Sequence, residues 1–313
     1  MSFDNFKKDV SKIYDFNPDW LNRLKYNPMK ALINEAKTYH LLNVLFKLYG
    51  SLRINPIIKE INFYHYKQPY VSDLLRNVKS INTKISSFDG ACEDNLLNIL
   101  ALLAKLDYFY IYSKNETEGL IKNIFAVGFL EKSENILYLS KLLYYLMRLG
   151  YKNMFIERAL NKVRKYQKLD GGWPIRFNSK NNNSDVFATL TIHRTFLENN
   201  LWINKDFLNK SEQFLNSSFL SKSNTKLELD RWNRIYSGYK KNNIFEGGSV
   251  LLLDSLLIKD SNSYYPKSII SWLKVLQLKN GFFPYHARLR NQLNFTSTIN
   301  ILYLFKKYHL YHI

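Results

Sequence analysis

One motif occurs twice in this chain, and it constrains the fold more than any other feature of the sequence. Residues Gln167–Pro174 read Gln-Lys-Leu-Asp-Gly-Gly-Trp-Pro, and residues Gln277–Pro284 read Gln-Leu-Lys-Asn-Gly-Phe-Phe-Pro. The second copy begins 110 residues after the first (277 against 167) and keeps the glutamine, an Asp or Asn, a glycine, an aromatic residue and the proline in the same places. A motif that returns in this way indicates an internal structural repeat.

Apolar residues at three-to-four spacing precede each copy and predict a helix that ends at the motif. They are Ala159, Leu160, Val163 and Tyr166 before the first copy, and Ile269, Ile270, Trp272, Leu273 and Leu276 before the second. The Asp-Gly and Asn-Gly pairs then predict a turn, because glycine adopts positive φ without steric cost and Asp or Asn can bond the local backbone. A new apolar helix follows, near Asp185 and near Phe295. We expect each glutamine amide to reach backbone groups of the next unit.

A second pair of similar segments supports the repeat. Residues 88–91 (Phe-Asp-Gly-Ala) lead into residues 92–100, and residues 245–248 (Phe-Glu-Gly-Gly) lead into residues 249–256. Both are an aromatic residue, an acid, a glycine and a small residue that open a helix. Small residues at these positions allow neighbouring helices to approach closely.

The remaining pattern predicts an all-α protein. Apolar spacing typical of helices runs through the 313 residues, and no convincing run of alternating strands occurs. Breaks are expected at Asn55-Pro56, Gly90, Gly119, Gly150 and Pro266, and in the segments 170–184, 242–248 and 280–294. A chain of this length can bury a sizeable core. About ten to twelve helices of ordinary length would fit.

The pattern Gln-x-x-Asp-Gly-Gly-Trp of the first copy resembles the Gln-Trp repeat of squalene–hopene and oxidosqualene cyclases. These enzymes share an α/α toroid with other class II terpene cyclases and with the β subunits of protein prenyltransferases. The second copy departs from the pattern, since Phe282 and Phe283 stand where the family has Gly and Trp. The resemblance, which covers residues from about 85 to the end, implies one α/α-toroid domain over residues 1–313, a barrel of five to six helical hairpins. Residues 85–313 would form the repeat region, and residues 1–84 would complete or cap the barrel.

The resemblance also implies a catalytic acid. Class II cyclases protonate an alkene or epoxide with the middle acid of an Asp-x-Asp-Asp motif at the start of an inner helix, and that acid must stay protonated. Aligned with this motif, Ala91–Asp94 keeps acids at the third and fourth positions, so Glu93 would be the proton donor with Asp94 beside it. Ala91 replaces the first Asp, and Asp89 lies nearby. Acids at a helix start are also favoured by the helix dipole, and Asp89 could be an N-cap.

A second acid segment, Asp185–Thr189, keeps the first Asp of the motif and the following Thr. Phe187 and Ala188 replace its two functional acids, so we prefer Glu93, Asp94 and Asp89 as the catalytic set. The family cavity is lined by aromatic rings, whose faces stabilise positive charge. The residues predicted to line it or lie near it are Trp173, Asp185, Phe187, Phe282, Phe283, Tyr285 and His286.

Composition fits such a cavity without proving it. The aromatic fraction is 16%, with 23 Tyr and 21 Phe, but abundant Lys, Asn and Ile beside scarce Gly and Pro also suggest an AT-rich bacterial genome. The single Cys and the absence of an apolar leader favour a reducing, cytoplasmic location, with attachment to the inner membrane face left open. No aspartate-rich magnesium motif, zinc-ligand context, phosphate loop or dinucleotide fingerprint occurs, so we expect no metal and no cofactor.

The formal net charge of +19 has three readings. The basic residues could be a solvated surface, could attract an anionic membrane face, or could recognise a diphosphate or other polyanion. No nucleic-acid module is apparent, so no specific nucleic-acid partner is expected. The expected partner is an isoprenoid or other lipid-like small molecule.

The resemblance favours a terpene cyclase-like enzyme that starts the cyclisation or isomerisation of an isoprenoid with an acid, in a central aromatic-lined cavity. Because the acid motif is incomplete, two alternatives stay open. One is a toroid that lacks catalysis and binds a lipid, a glycan or a partner protein. The other is a glycan-active α/α barrel in which carboxylates such as Asp89 and Glu93 would act on a sugar. Fold alone does not decide between them.

Overall fold

The computed structural model describes most of the chain from residue 18 onward. The described residues are 18–35, 37–49, 56, 59, 69–84, 95–101, 103–104, 114–126, 128–177, 183–203, 205–219, 221–222, 224–235, 247–259, 264–288 and 294–311.

These residues form thirteen α-helices, and no strand occurs among them. They are α1 (Met29–Glu35), α2 (Thr38–Asn43), α3 (Pro69–Lys84), α4 (Lys114–Ala126), α5 (Phe129–Lys132), α6 (Ile136–Arg148), α7 (Met154–Arg164), α8 (Val186–Leu197), α9 (Asp206–Ser218), α10 (Lys226–Trp232), α11 (Ser249–Ile258), α12 (Tyr264–Leu276) and α13 (Phe295–Tyr311). Short 3₁₀ turns cover Asp19–Arg23 and Asn200–Trp202, and a π-helical turn covers Val44–Leu48. The prediction of an all-α protein is confirmed. Among the described helices, none is both long enough and apolar enough to cross a bilayer.

The chain divides into two compact units, each with one copy of the motif. The first unit holds the described residues from 69 to 229, and the second holds those from 18 to 59, from 230 to 235 and from 247 to 311. The assignment of residues 1–313 to one domain stays a prediction.

Side-chain caps fix where four of the helices begin. Asn135 accepts a hydrogen bond from the Tyr138 backbone N (3.0 Å) at the start of α6, and Asn153, Asp185 and Asn294 do the same for α7, α8 and α13. Each cap satisfies one backbone N–H that the first helical turn leaves open, which is worth about 1 kcal/mol.

In the first unit, a fully buried helix lies beside amphipathic ones. Every residue of α8 after Val186 is buried, and α8 packs against both α6 and α9. By contrast, α7 packs against α6 and buries a single stripe, which consists of Ile156, Ala159, Leu160 and Val163. A helix that is buried all round lies in the core, and a helix with one apolar stripe covers the core from outside.

The second unit repeats this division. In α11, every residue from Ser249 to Leu257 is buried except Asp254, and α11 packs against α12 and α13. The amphipathic helix here is α12, which buries Pro266, Ile269, Ile270, Leu273 and Leu276. Helix α13 also packs against residues 19–23, against α2 and against the π-helical turn.

The first turn, Gln167–Pro174, is closed by backbone hydrogen bonds around Gly171. The Lys168 backbone N donates to the Gly172 carbonyl (2.9 Å), and the Gly171 backbone N donates to the Lys168 carbonyl (3.0 Å). Asp170 Oδ1 accepts from the Gly172 backbone N (2.9 Å). Gly171 has φ of 89°, a conformation that L side chains rarely adopt.

The second turn, Gln277–Pro284, is closed in the same way. The Leu278 backbone N donates to the Phe282 carbonyl (2.9 Å), and Asn280 Oδ1 accepts from the Phe282 backbone N (3.2 Å). Gly281 has φ of 84°. The predicted Asp-Gly and Asn-Gly turns are therefore confirmed, including the role of the Asp or Asn side chain.

The glutamine that begins each turn bonds backbone carbonyls. In the first turn, Gln167 Nε2 donates to the Gly171 carbonyl (2.8 Å) and to the Phe207 carbonyl in the first turn of α9 (2.7 Å). In the second turn, Gln277 Nε2 donates to the Gly281 carbonyl (2.9 Å) and to the Tyr26 carbonyl (2.6 Å). Gln277 Oε1 also accepts from the Tyr26 backbone N (3.1 Å). Each glutamine therefore ties its turn to a separate segment of the chain, which is the start of α9 for Gln167 and the bend before α1 for Gln277.

The two glycines pack closely against the same neighbouring segments that the glutamines bond. A Cβ atom added to Gly171 would overlap the carbonyl of Lys210 in α9, and one added to Gly281 would lie 2.8 Å from the backbone N of Pro28. The segment just before α1 thus takes, in the second unit, the position that the start of α9 takes in the first.

The aromatic residue of each turn is anchored to the next helix. The Trp173 backbone N donates to Thr189 Oγ1 of α8 (2.8 Å), and the Phe283 backbone N donates to Thr298 Oγ1 of α13 (2.9 Å). Both aromatic side chains are fully buried. The indole Nε1 of Trp173 also donates to the Val163 carbonyl (3.0 Å).

The residues after each turn pair with a segment that comes earlier in the same unit. In the first unit the bonds run from Leu137 N to the Ile175 carbonyl (3.3 Å) and from Phe177 N to the Glu134 carbonyl (3.1 Å). In the second unit they run from Ile235 N to the Tyr285 carbonyl (2.9 Å) and from Ala287 N to the Asn233 carbonyl (2.9 Å). The repeat therefore extends beyond the turn to the segments on either side of it.

Candidate functional site

One face of α13 is only half-buried and carries polar side chains. Its residues are Thr296, Asn300, Tyr303 and Lys307, which recur at the three-to-four spacing that places residues on one side of a helix. All other residues of α13 from Ser297 to Phe305 are buried. This face is therefore the part of α13 where polar chemistry is accessible.

Two ammonium groups approach the ring of Tyr303. Lys47 Nζ lies 5.9 Å and Lys307 Nζ lies 5.0 Å from the ring centroid. Lys47 Nζ also donates to Asn300 Oδ1 (2.6 Å), and Lys307 Nζ is 4.0 Å from Asp254 Oδ1. Both ammonium groups lie within the range of cation–π attraction, so the ring helps to hold two positive charges at one place.

A π-helical turn positions Lys47. The turn spans Val44–Leu48, and the backbone N of Tyr49, directly after it, donates to the Val44 carbonyl (3.4 Å). Lys306 Nζ of α13 donates to the Leu48 carbonyl (2.8 Å), which fixes the end of the turn against α13. Burial lowers the pKa of Lys306. Single π-helical turns are frequent at functional sites.

His40 lies next to this face and is neutral near pH 7. Burial, together with the charge of Lys37, lowers the pKa of His40 to about 4. The imidazole stacks on Phe295 (ring centroids 5.2 Å apart, 18° between planes), and its Nε2 lies 3.4 Å from Thr296 Oγ1. Phe295 in turn meets the ring of Phe282 edge-on at 5.0 Å. An aromatic residue of the second turn is thereby joined to the polar face.

We call this group the α13 site; its residues are His40, Lys47, Asp254, Thr296, Asn300, Tyr303 and Lys307. The site combines ammonium groups, a carboxylate, a phenol and a neutral imidazole. Ammonium groups and amide or hydroxyl donors suit an anionic or hydroxylated group. A neutral imidazole and a phenol can each donate or accept a hydrogen bond. The site can therefore bind a polar or anionic group.

His286 belongs to a separate cluster in the second unit. The imidazole is buried, its Nδ1 accepts from the Arg288 backbone N (3.1 Å), and its Nε2 lies 3.2 Å from Asp230 Oδ1. Since Nδ1 is an acceptor, Nε2 carries the proton and donates to Asp230. Arg234 Nη2 donates to the other carboxylate oxygen (3.1 Å). Both ring nitrogens of His286 are thus occupied by protein groups.

The charge of this cluster is settled by its hydrogen bonds. Partial burial opposes ionisation of Asp230, but the hydrogen bond from Arg234 and the nearby His286 outweigh burial and lower the pKa of Asp230 below its ordinary value. The ionised carboxylate holds the segment after the second turn against the end of α10. Substrate binding by His286 stays a prediction.

Three predicted cavity residues lie in the first unit. The ring of Trp173 is fully buried and packs 6.1 Å from Phe196 and 6.3 Å from Phe207. Asp185 caps α8, because its Oδ1 accepts from the Ala188 backbone N (2.6 Å). Phe187 is buried in the first turn of α8. These contacts give each residue a packing or capping role; contact with a substrate stays a prediction.

Three more predicted residues belong to the second turn or follow it. Phe282 contacts Phe295, and Phe283 packs 6.1 Å from Phe305. Tyr285 is half-buried. Of the predicted binding residues, Phe282 is the one that the described contacts connect to the α13 site.

The predicted catalytic acids Asp89, Glu93 and Asp94 lie outside the described residues. The description resumes at Asn95, and residues 95–101 are helical. The assignment of these acids stays a prediction. Within the part of the chain that the structure describes, no group of three or more His, Cys, Asp or Glu side chains is placed to hold a metal ion.

Sequence reasoning did not identify His40, Lys47, Tyr303 or Lys307. Their signal was partly present, because Thr296, Asn300, Tyr303 and Lys307 share one face of a helix that the second turn already predicts. His40 and Lys47 come from the N-terminal helices, and their proximity depends on contacts more than 250 residues apart in sequence (253 for Lys47 with Asn300, 256 for His40 with Thr296). Comparison of the chain with protein-family models, with curated proteins and with solved structures gave no match.

Proposed function

We propose that this chain is a terpene cyclase-like α/α toroid that starts the cyclisation or isomerisation of an isoprenoid with an acid. The observation that carries the proposal is the doubled turn. Gln167 and Gln277 make equivalent side-chain bonds to the glycine of their own turn and to the backbone of a neighbouring segment. This is the bracing function that the resemblance to the Gln-Trp repeat implies.

Contacts between the beginning and the end of the chain support the toroid. Gln277 binds Tyr26, Gly281 packs on Pro28, and α13 packs against residues 19–23. In a closed ring of hairpins, the second turn needs a neighbouring segment, and residues 26–28 provide it. Segment 26–28 accordingly replaces the helix start that braces the first turn.

The α13 site gives the proposed substrate a place for its polar end. Lys47 and Lys307 offer positive charge, and the half-buried Phe295 on the same helix as Lys307 offers aromatic surface. An isoprenoid diphosphate or an oxidised isoprenoid combines an anionic or polar end with an apolar chain, so it matches both features. Glu93 and Asp94 would supply the proton, and aromatic rings would stabilise the cation that forms.

The test is turnover of geranylgeranyl diphosphate, farnesyl diphosphate and squalene by the purified chain, with products identified by mass spectrometry. Glu93→Gln and Asp94→Asn should each lower the rate by about 100-fold or more, the usual contribution of a general acid. Glu157→Gln is the matched control, because Glu157 is an exposed carboxylate on α7. Turnover that survives in both acid variants would show that the acid assignment is wrong.

A second candidate is a toroid that binds an anionic lipid-like molecule without turning it over. The replacement of the first motif Asp by Ala91 favours it, because a proton donor with fewer neighbouring carboxylates is easier to ionise. In this case the α13 site would still bind its ligand. Saturable binding of geranylgeranyl diphosphate that weakens in Lys47→Gln and Lys307→Gln, with no product formed by the unaltered chain, would favour this candidate.

A further inference from the structure

Two leucines protrude from one edge of the first unit. Leu169, at the tip of the first turn, is fully exposed, and Leu201, in the 3₁₀ turn after α8, is 72% exposed. Removing apolar side chains from water is favourable, so leucines that protrude this far suggest a surface that covers them.

A hydrogen bond and a cation–π contact join the two leucine-bearing segments. Gln167 in the first turn donates to the Phe207 carbonyl (2.7 Å), and the guanidinium of Arg164 lies 5.5 Å from the ring of Trp202. Residues 164–170 therefore lie beside residues 200–203 and 205–210. We call these two segments the leucine edge.

The leucine edge is strongly basic. It carries five basic residues and two acids; the basic ones are Arg164, Lys165, Lys168, Lys205 and Lys210, and the acids are Asp170 and Asp206. Asp170 is already engaged, since it accepts from Ser184 Oγ (2.7 Å) and from the Gly172 backbone N. The edge also contains the half-buried Trp202, a residue type that is enriched where membranes meet water.

The turn itself does not require a leucine at its tip. Lys279 occupies the position equivalent to Leu169 in the second turn, and the surrounding backbone hydrogen bonds are the same. The exposed leucine is therefore a feature of the first turn alone, and the fold gives no reason for it.

We propose that the leucine edge docks the protein on an anionic lipid bilayer. Leu169 and Leu201 would enter the head-group layer, Trp202 would lie at the interface, and the lysines and arginine would contact acidic head groups. The bilayer is favoured over a protein partner because flexible basic side chains surround isolated protruding leucines. This combination of apolar insertion and diffuse positive charge is the usual basis of peripheral membrane binding. The inference does not depend on the catalytic proposal.

The experiment is co-sedimentation of the full chain with two kinds of vesicle, phosphatidylcholine alone and phosphatidylcholine mixed with phosphatidylglycerol. We expect binding to the mixed vesicles, and weaker binding at high salt because salt screens the charges. The double variant Leu169→Lys, Leu201→Lys should bind about tenfold more weakly or worse, because two inserted leucines are lost. Added positive charge by itself would strengthen binding, so a loss isolates the apolar contribution.

Leu227→Lys is the matched control. Leu227 is 73% exposed, and its helix follows a segment in which Asn224 bonds the Ser218 carbonyl at the far end of α9. Since α9 spans about 20 Å, Leu227 lies away from the leucine edge. This variant should bind like the unaltered chain.

Three outcomes would overturn the proposal. One is equal sedimentation with both kinds of vesicle, and another is undiminished binding by the double variant. The third is absence of vesicle binding together with self-association that the double variant abolishes, which would make the edge an interface between copies of the chain. Circular dichroism melting of each variant confirms that a loss of binding is not a loss of folding.

Discussion

The first and second turns have the same backbone and differ in what surrounds it. Both have a glycine with positive φ, an Asp or Asn that bonds the next backbone N–H, and a glutamine that donates to two carbonyls. They differ in the buried ring, which is Trp173 in one and Phe283 in the other, and in the origin of the bracing segment. The comparison shows that the hydrogen-bonding glutamine and the glycine define the turn, and that the ring and the tip residue can vary.

The two turns differ most in where the segment that their glutamine bonds lies in the sequence. The carbonyl of Phe207 lies 40 residues from Gln167, whereas that of Tyr26 lies 251 residues from Gln277. The first turn can form while its own half of the chain folds. The second turn requires the two ends of the chain to meet, and contacts of such high sequence separation form slowly.

Of the variants that test this comparison, those that remove the buried ring should lower the free energy of unfolding most. Trp173→Ala and Phe283→Ala should each lower the free energy of unfolding by about 3–5 kcal/mol, because both leave a cavity in a packed core. Trp173→Phe, which gives the first turn the ring of the second, should cost less, about 1–3 kcal/mol, because it leaves the Val163 carbonyl without its indole donor. Urea unfolding measures these values. If Trp173→Phe costs nothing, the indole hydrogen bond does not stabilise the first turn.

Replacing the glutamines tests whether the two braces are equivalent. Gln167→Leu should lower the free energy of unfolding by about 2 kcal/mol and Gln277→Leu by about 3 kcal/mol, because buried backbone groups lose their hydrogen-bond partners. The second value is larger since Gln277 is more buried and also accepts from the Tyr26 backbone N. Equal costs, or a larger cost at Gln167, would contradict this ranking.

Lowering the pH should destabilise chiefly the second unit, because His40 and His309 become protonated on unfolding. Burial lowers the pKa of both to about 4; for His309 the charges of Arg23 and Lys274 add to burial. In the unfolded chain each imidazole titrates near its ordinary pKa of about 6.5, so the unfolded state binds more protons between about pH 6.5 and pH 4. Stability is therefore full above about pH 6.5 and falls as the pH is lowered through that window.

At pH 5 the loss should be on the order of 2 kcal/mol for each histidine, and smaller for the half-buried His40. Urea unfolding at pH 5 and near pH 7.5 measures it. His309→Gln and His40→Gln should each flatten the pH dependence, whatever they do to stability at neutral pH. If the free energy of unfolding of the double variant depends on pH as steeply as that of the unaltered chain, these two imidazoles do not cause the pH dependence.

Exchanging the tip residues should have the smallest effect. Leu169→Lys and Lys279→Leu should each change the free energy of unfolding by less than about 0.5 kcal/mol, because both positions are exposed and each turn already tolerates the residue of the other. A larger loss in either variant would mean that the two tips differ in more than their side chains. Thermal melting of the two single variants and of the variant that carries both exchanges measures these changes in stability.

Local features of the turns could be predicted from the sequence, because short-range rules control them. Asp-Gly and Asn-Gly correctly indicated glycines of positive φ, and the apolar spacing correctly placed α7, α8, α12 and α13 around the two motifs. Each glutamine was expected to bond backbone groups of the next unit, and both bond a segment outside their own turn. The partner segment of Gln277, near Tyr26, could not be predicted, because periodicity within one helix does not say which distant segment packs beside it.

The candidate site was less accessible to sequence reasoning. The resemblance directed attention to Asp185 as part of an acid motif, whereas the structure shows its side chain capping α8. The α13 site brings together residues from the two ends of the chain, and its histidine is notable only because burial lowers its pKa. Both facts depend on tertiary packing. The acids Asp89, Glu93 and Asp94 remain predictions from the motif alone.

Amide hydrogen exchange in Gln167→Leu and Gln277→Leu tests the central claim most directly, namely that two equivalent turns are braced by different segments and the second by the start of the chain. We expect Gln277→Leu to accelerate exchange at Tyr26 and in residues 26–35 and to leave residues 205–210 unchanged, and we expect Gln167→Leu to do the reverse. Exchange at Tyr26 that is as slow in Gln277→Leu as in the unaltered chain would contradict it.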